Sequence, residues 1–415
     1  MSTLVVVKTG WQQWQRIRAF RTFTARGWRI VVVDQMLNQS LRVADVPVVC
    51  DFSAIPSAVK TLRARVGRPD GILTFSDTGV VAAAEIAEAL DLPFLPVEVA
   101  RRAIDKREQR RACAAAGLPV PDWRTLADQE EAVAAVREWG RTVIKPADRA
   151  ASVAVRLVDS VDGAASAFHE AARASRRGGA VLTERYLEGP EVSVESIAVE
   201  GRQRPICQTA KVNTHGPYFV EMGQSVPAAL GPELRERVVA LAESACSALD
   251  LTWGACHTEV KLTEAGPVIV EVNPRLPGDC VPDLIEMAVG LDAYELLGRH
   301  ALGEAITVED LVPRRHRGAA IHFRLSSAGT FLGASSPLVS EAPDWLVEMS
   351  VTVPPGHRLE EPRSNSDRLG YAICTGDSAP EAAARARSAI DTLAVRFAPE
   401  PAVAVPGTGV GSPEG

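Results

Sequence analysis

The stretch from His257 to Asp279, HTEVKLTEAGPVIVEVNPRLPGD, gathers residues whose types and spacing suit catalysis. Two alternating runs, Cys256–Leu262 and Val268–Val272, flank Glu264-Ala265-Gly266. They read as an antiparallel hairpin whose left-handed turn residue is Gly266. A register centred on Ala265 sets Glu259 opposite Glu271 and His257 opposite Asn273. Alternation then gives one nearly apolar face: Cys256, Thr258, Val260, Leu262, Val268, Val270 and Val272. The other face carries His257, Glu259, Lys261, Glu271 and Asn273. Carboxylates directly opposite each other destabilise a sheet. Two of them with an amide oxygen two residues on suit a hard cation, Mg²⁺ or Mn²⁺, that retains waters or phosphate oxygens. A solvated outer face would carry similar charges. The continuation Asn273-Pro274-Arg275 favours the cation, because it sets Arg275 beside the pair, where phosphate charge would need neutralising.

The chain that must position these groups has 415 residues, enough for two or three domains. Its apolar content of 46% and charged content of 23% are ordinary for a globular protein. A formal charge of −7 gives no basis for binding nucleic acid or an anionic membrane. No apolar run reaches membrane-spanning length, and MSTLVVVKTGW lacks the apolar segment of a signal peptide. Seven cysteines without a CxxC pair argue against a disulfide framework or structural zinc and for the cytoplasm.

From the N-terminus, Thr3–Val7, Arg29–Val33, Val46–Cys50 and Gly71–Phe75 read as strands. Helical segments near Trp14–Arg26, Pro56–Val66 and Val80–Leu90 alternate with them, which predicts a parallel, helix-covered sheet. The loop Lys8-Thr9-Gly10 offers no G-x-G-x-x-G, so a dinucleotide fold is discounted. Pro93–Pro96 marks a linker, and Val97–Ala116 reads as one Arg-rich helix. Val143–Lys145, Val153–Val158 and Ala180–Thr183 are predicted strands, with a helix over Ser160–Arg176. Alternation returns in Val192–Val199 and Pro205–Lys211. A loop over Asn213–Met222 and a helix from Glu233 to Leu249 follow. Ile285–His300 reads as helical, Ala319–Gly376 as strands and turns, and Pro380–Phe397 as a terminal helix. The Pro/Gly/Val tail beyond it is expected to be disordered.

Two lysines are distinguished by their settings. Lys106 follows Asp105 near a helical stretch, and Lys145 ends the apolar Val143-Ile144 just before Pro146. Glu184 ends one strand, and Glu191 opens the next after Gly189-Pro190. A backbone segment between two strands, Arg185–Leu187, could meet an adenine edge, and Glu191 the ribose hydroxyls. An ordinary crossover with exposed acids would look the same.

The order of these pieces resembles the ATP-grasp family, most closely its carboxylate–amine ligases of the L-amino acid ligase (dipeptide synthetase) kind. The resemblance runs from Thr3 to Phe397. It rests on Asp105-Lys106, Ile144-Lys145-Pro146, Glu184…Glu191, Glu259, Glu271-Val272-Asn273-Pro274-Arg275 and Pro277-Gly278. It implies an α/β ATP-grasp fold: a parallel α/β (pre-ATP-grasp) domain over 1–96, then two α+β subdomains clasping ATP. These are a lid over 97–183 and a C-terminal subdomain over 184–398, with a disordered tail over 399–415.

By the same resemblance Lys106 and Lys145 contact nucleotide phosphates, Glu184 and the Leu187 backbone read adenine, and Glu191 holds the ribose. Glu259, Glu271 and Asn273 hold Mg²⁺ (or Mn²⁺), and Arg275 stabilises the transferring phosphoryl group. Phe219–Ala228 resembles an amino-acid-binding segment in which Glu221 meets a substrate ammonium, with Gln224 where relatives often carry His. The expected partners are small molecules, with a homodimer among the permitted assemblies. The sequence departs from the family in the lid loop Ala147–Ala154, which has no glycine. That predicts a stiffer or differently shaped lid, with Ser152 and Arg149 reaching for phosphate oxygens. The implied chemistry is ATP-dependent amide formation through an acyl phosphate. Bicarbonate carboxylation and a catalytically silent nucleotide-binding scaffold are the alternatives. His257 reads as an orienting group ahead of a base.

Overall fold

A computed structural model describes residues 1–10, 13–36, 42–176 and 178–398. The tail expected to be disordered lies outside them. The N-terminal apolar runs form a four-stranded parallel sheet in the order Val46–Val49, Arg29–Asp34, Thr3–Val7, Gly71–Leu73. Thr3–Val7 is buried along its whole length, as a strand covered by helices on both faces must be. The order reverses at Thr3–Val7, so a crevice opens between the C-terminal ends of that strand and of Gly71–Leu73.

Trp123–Leu126, Val181–Arg185, Thr142–Pro146 and Arg156–Val158 make a second, antiparallel sheet in that order, covered by helices Gln129–Trp139 and Val161–Ala174. The third sheet has eight strands, running from the hairpin Gly266–Asn273 and Ala255–Thr263 to Arg368–Gly376 and Leu346–Val351. One core cluster joins the N-terminal sheet to helices Val281–Val289 and Ala293–Ala301 and to the back of the large sheet. Phe23, Trp28, Leu284, Tyr294 and Ile321 belong to it. The approach is close: a Cβ on Gly71 would sit 2.3 Å from the Ala301 carbonyl oxygen. This apolar seam fixes one wall of the cleft against the other.

Several elements differ from their local sequence signals. Val97–Ala116 is two helices, Val97–Ala103 and Lys106–Ala115, because Asp105 is extended and caps the second by accepting from the Arg107 N–H at 2.9 Å. Ile285–His300 is likewise two helices, parted by Gly290 and the Asp292 cap. The terminal helix stops at Asp391, and Ala394–Phe397 is a strand whose Phe397 ring packs edge-on against Phe331. Glu221 does not lie in a loop. It opens the strand Glu221–Val226, whose outer partner is the distant Gly318–Leu325. The returning lid strand shortens to Arg156–Val158 because the loop before it is taken up by turns. In that loop Ala151, Ser152 and Ala154 hold φ of 58°, 57° and 56°. Non-glycine residues thus adopt the left-handed backbone, at about 1–2 kcal/mol each.

Candidate active site

The hairpin carries the predicted pairs, Glu259 with Glu271 and His257 with Asn273, by a route the sequence did not reveal. The turn is tighter than expected, with Thr263 opposite Gly266, and Gly266 is left-handed at φ 126°. A bulge opposite Glu259/Val260 restores the register by adding Val270. It also overturns part of the face assignment. Ile269, not Val268 or Val270, joins Cys256, Val260 and Val272 in the core, and Val270 turns to line the cleft.

The cleft has a volume of about 870 Å³ and is bounded by the two four-stranded sheets and the eight-stranded sheet. Lys106, Lys145, Ser152, Glu184, Leu187, Glu191, Glu221, Gln224, Glu259, Glu271, Asn273 and Arg275 all line it. Capping by Asp105 puts Lys106 in the first turn of its helix, where its Nζ donates to Glu271 Oε1 at 2.7 Å and to the Arg149 carbonyl at 2.6 Å. Lys145 Nζ lies 2.7 Å from Glu184 Oε2, and Arg110 Nε donates to Glu184 Oε1 at 2.8 Å. Burial alone would raise the Glu184 carboxyl, but Arg110 and Lys145 outweigh it and hold it below the usual range. Both Glu184 oxygens are therefore committed to cations, and the carboxylate acts first as the support of Lys145. Burial, ahead of every other influence, depresses Lys145 itself.

Arg275 makes a fork with Asp77, at 2.7 and 2.8 Å. With its amide nitrogen turned toward them, Asn273 donates to Asp77 Oδ1 and Glu271 Oε1, each at 3.2 Å. The sequence by itself does not mark Asp77. It follows the strand Gly71–Leu73, where the position after a parallel strand was the available signal.

Lys211 was missed as well. Its Nζ lies 2.5 Å from Glu259 Oε1, 3.3 Å from Glu191 Oε1 and 3.4 Å from Glu221 Oε1. Burial works against its charge, yet the three carboxylates hold it well above the ordinary lysine value. Glu221 is also bound by Gln224 Nε2 at 2.7 Å and by Asn365 Nδ2 at 3.1 Å. Burial pushes Glu221 up; Lys211 pulls against that, and Asp279 and Glu259 add to the rise. Asp279 in turn forms a buried fork with Arg368, at 2.6 and 2.7 Å. Asn365 also donates its backbone N–H to the Ala151 carbonyl at 3.3 Å, so the lid loop is tied to the wall that holds Glu221. Among the described residues the buried Gln224 Oε1 has no hydrogen-bond partner.

His257 is buried between two carboxylates. Its Nδ1 lies 2.8 Å from Glu195 Oε2 and its Nε2 3.1 Å from Glu259 Oε1. Burial opposes the charge, but Glu195 and Glu259 raise the imidazole to about 9. At neutral pH the ring is a cation donating from both nitrogens, so it orients Glu259 and has no lone pair for base catalysis. A raised value means the stabilisation is complete below the unfolded value near 6.5 and disappears as pH rises through 9. In the metal-free protein the ring is expected to titrate near pH 9 by NMR, and His257→Asn should flatten stability between pH 7 and 9. A titration near 6.5 would remove this orienting role.

Among the described residues no group of three or more His, Cys, Asp or Glu side chains is arranged to hold a metal ion. The candidate set is two carboxylates and an amide. Within the described residues, all hydrogen bonds of Glu259 and Glu271 use Oε1, which leaves each Oε2 open to the cleft. That donor set fits a hard cation completed by water and phosphate oxygens.

Residues 103–279 match the ATP-grasp domain, and residues 321–398 match the L-amino acid ligase C-terminal domain 2. The uncharacterized protein y4rH of Sinorhizobium fredii is 30% identical over 341 residues, covering 78% of this chain and 67% of that protein. The chain belongs to the ATP-grasp family. Carnosine synthase 1 of Gallus gallus is another relative, 28% identical over 349 residues. The match spans 79% of this chain but 37% of the synthase. Among solved structures, the L-amino acid ligase of Bacillus licheniformis superposes with a TM-score of 0.81 at 21% identity, covering 96% of this chain and 99% of that one. This likeness shows the fold. No helix of the described residues is long and apolar enough to cross a membrane.

Proposed function

We propose that this ATP-grasp protein joins a carboxylate, an amino acid by preference, to an amine, forming an amide and releasing ADP and phosphate. One observation carries the reading. Lys106 and Arg275, cations suited to a transferring phosphoryl group, flank Glu271 and Asn273, the oxygen donors suited to a divalent cation. Each cation rests on a carboxylate that a phosphate can replace.

In the proposed sequence a carboxylate oxygen of the substrate attacks the γ-phosphorus of ATP. The bond to the β-phosphate oxygen breaks, and ADP is the leaving group. The developing charge is met by Arg275 and Lys106, held in place before reaction. Lys145, supported by Glu184, contacts the nucleotide phosphates. The Leu187 backbone faces adenine, and Glu191 the ribose. Glu259, Glu271 and Asn273 would hold Mg²⁺, which supplies further charge neutralisation at the phosphates. Glu221 pairs with a substrate ammonium. A neutral amine then attacks the acyl carbon, the C–O bond to phosphate breaks, and phosphate leaves. The names of the relatives, carnosine synthase and L-amino acid ligase, support an amino acid as substrate.

The test is positional isotope transfer. With ¹⁸O in the substrate carboxylate, label is expected in the released phosphate. Label in AMP would establish adenylation instead, and ATP hydrolysis without any acid would point to a different reaction.

A further inference from the structure

Among the described residues, the part of the chain beyond residue 320 lines the cleft only through Asn365, Ser366 and Arg368. These belong to a short turn, Asn365–Asp367, and to the start of the strand Arg368–Gly376. The turn is braced on both sides. Asp367 Oδ2 accepts from the backbone N–H groups of Arg363 at 2.9 Å and Ser364 at 2.8 Å. Arg368 Nε donates to the Asn365 carbonyl at 2.8 Å, while the rest of its guanidinium grips Asp279. Asn365 is buried, and a turn held at both ends gives its side chain a set direction.

That direction leads to Glu221. Asn365 Oδ1 accepts from the Glu221 N–H at 2.9 Å, and its Nδ2 donates to Glu221 Oε1 at 3.1 Å. One amide thus fixes both the main chain and the carboxylate of a single residue. The backbone N–H of Asn365 points the other way, to the Ala151 carbonyl of the lid loop at 3.3 Å. The lid meets the same wall a second time. Leu157 N–H donates to the Pro217 carbonyl at 2.7 Å, Arg156 bridges to Tyr218, and the Tyr218 hydroxyl donates to Glu170 Oε2 at 3.1 Å. The Arg363 guanidinium lies 5.6 Å from the Tyr218 ring centroid. Pro217 and Tyr218 lead directly into Glu221, so both lid contacts end on the segment that carries this carboxylate.

We infer that Asn365 is a positioning residue that couples the lid to the amino-acid site. With the lid seated on its N–H, its side chain holds Glu221 in place for a substrate ammonium. An ammonium on Glu221 in turn steadies the seat on which the lid closes. This rests on the ligase reading of the cleft and deepens it by linking its two binding events. The coupling is reciprocal, so the amino acid tightens the nucleotide by the same factor as the nucleotide tightens the amino acid. The lid loop has reason to need such a seat, because Ala151, Ser152 and Ala154 hold left-handed backbone without a glycine.

The test follows hydrogen exchange of the lid-loop peptide 147–158 in the whole protein. Four states are compared: protein alone, with Mg²⁺ and a non-hydrolysable ATP analogue, with an equimolar mixture of the twenty standard amino acids, and with all of these. In wild type the amino acids are expected to slow exchange beyond the analogue alone. They should also tighten the analogue about threefold or more in calorimetry. Acetate and propionate, which lack the ammonium, should do neither. Asn365→Ala keeps the backbone N–H, so the analogue still protects the loop while the added effect of the amino acids is lost. Asn365→Pro removes that N–H as well, and proline suits the start of a turn after the extended Ser364. With the analogue bound, its loop should exchange faster than that of Asn365→Ala. Thermal melts establish that both variants fold, and the wild-type comparison decides the question if they do not. Amino acids without effect on the wild-type lid and analogue overturn the coupling. So does the full wild-type effect in Asn365→Ala, or equal lid exchange in the two variants. Isotope transfer into phosphate, measured on the same wild-type protein, reports on the ligase reading separately.

Discussion

Replacement of Glu271 by alanine is expected to lower product formation by about a thousandfold or more while the protein stays folded. The substitution removes an oxygen donor from the cation set and frees Lys106 from its 2.7 Å partner. Lys106 keeps the Arg149 carbonyl at 2.6 Å, so its head group is not left bare. The structural cost is small because the hairpin is held from its other face, where Cys256, Val260, Ile269 and Val272 are fully buried. Initial rates at saturating ATP, together with thermal melts, check both halves. Wild-type turnover in the mutant would remove the metal assignment, and loss of cooperative melting would make the residue structural.

The second large effect is expected at Lys211. Its side chain is 2% exposed and is shared by Glu259, Glu191 and Glu221. Lys211→Met fills similar space but leaves three carboxylates facing one another. Breaking a buried ion pair from one side costs about 3–5 kcal/mol. The pH dependence has a definite sign. Burial opposes ionisation of Glu259, but Lys211, followed by His257, holds it well below the usual range. A depressed carboxylate stabilises the fold above its unfolded value, and that contribution is lost as pH falls through the folded value. Without Lys211 the contribution at neutral pH shrinks. The deficit of the mutant should therefore be greatest near pH 7 and narrow as the carboxylates protonate toward pH 5. Urea unfolding at both pH values measures it. A mutant as stable as wild type at pH 7 would show that the three acids have other support.

What the sequence determined by itself was local chemistry and its order along the chain. Alternation at period two placed Glu259 against Glu271, because a hairpin brings neighbours in sequence into register. The lysine before Pro146, the acids around Gly189-Pro190 and the Asn-Pro-Arg run identified the ATP-grasp elements, and all twelve residues they suggested line one cleft. Even there the bulge at Val270 escaped notice. Bulges depend on how two strands twist together, and composition does not record that.

The tertiary structure decided the pairing between distant segments. Lys211 ends an alternating run and looks like a strand-terminal surface charge. It becomes a shared cation because Glu191, Glu221 and Glu259 arrive on three neighbouring strands. Asp77 meets Arg275 from 198 residues away, and Arg368 meets Asp279 across 89. Glu221 reads as a loop residue in the sequence, because the pairing that makes it a strand residue, Asn213 opposite Glu221, lies beyond an irregularity at Val212/Asn213 that composition does not record. The charge state of His257 was settled in the same way. In the sequence it is one histidine near one glutamate, and only the fold buries it against Glu195 as well and makes it a cation. Periodicity reports what a segment does with its own neighbours. Burial and ion pairing depend on which segments fold against it.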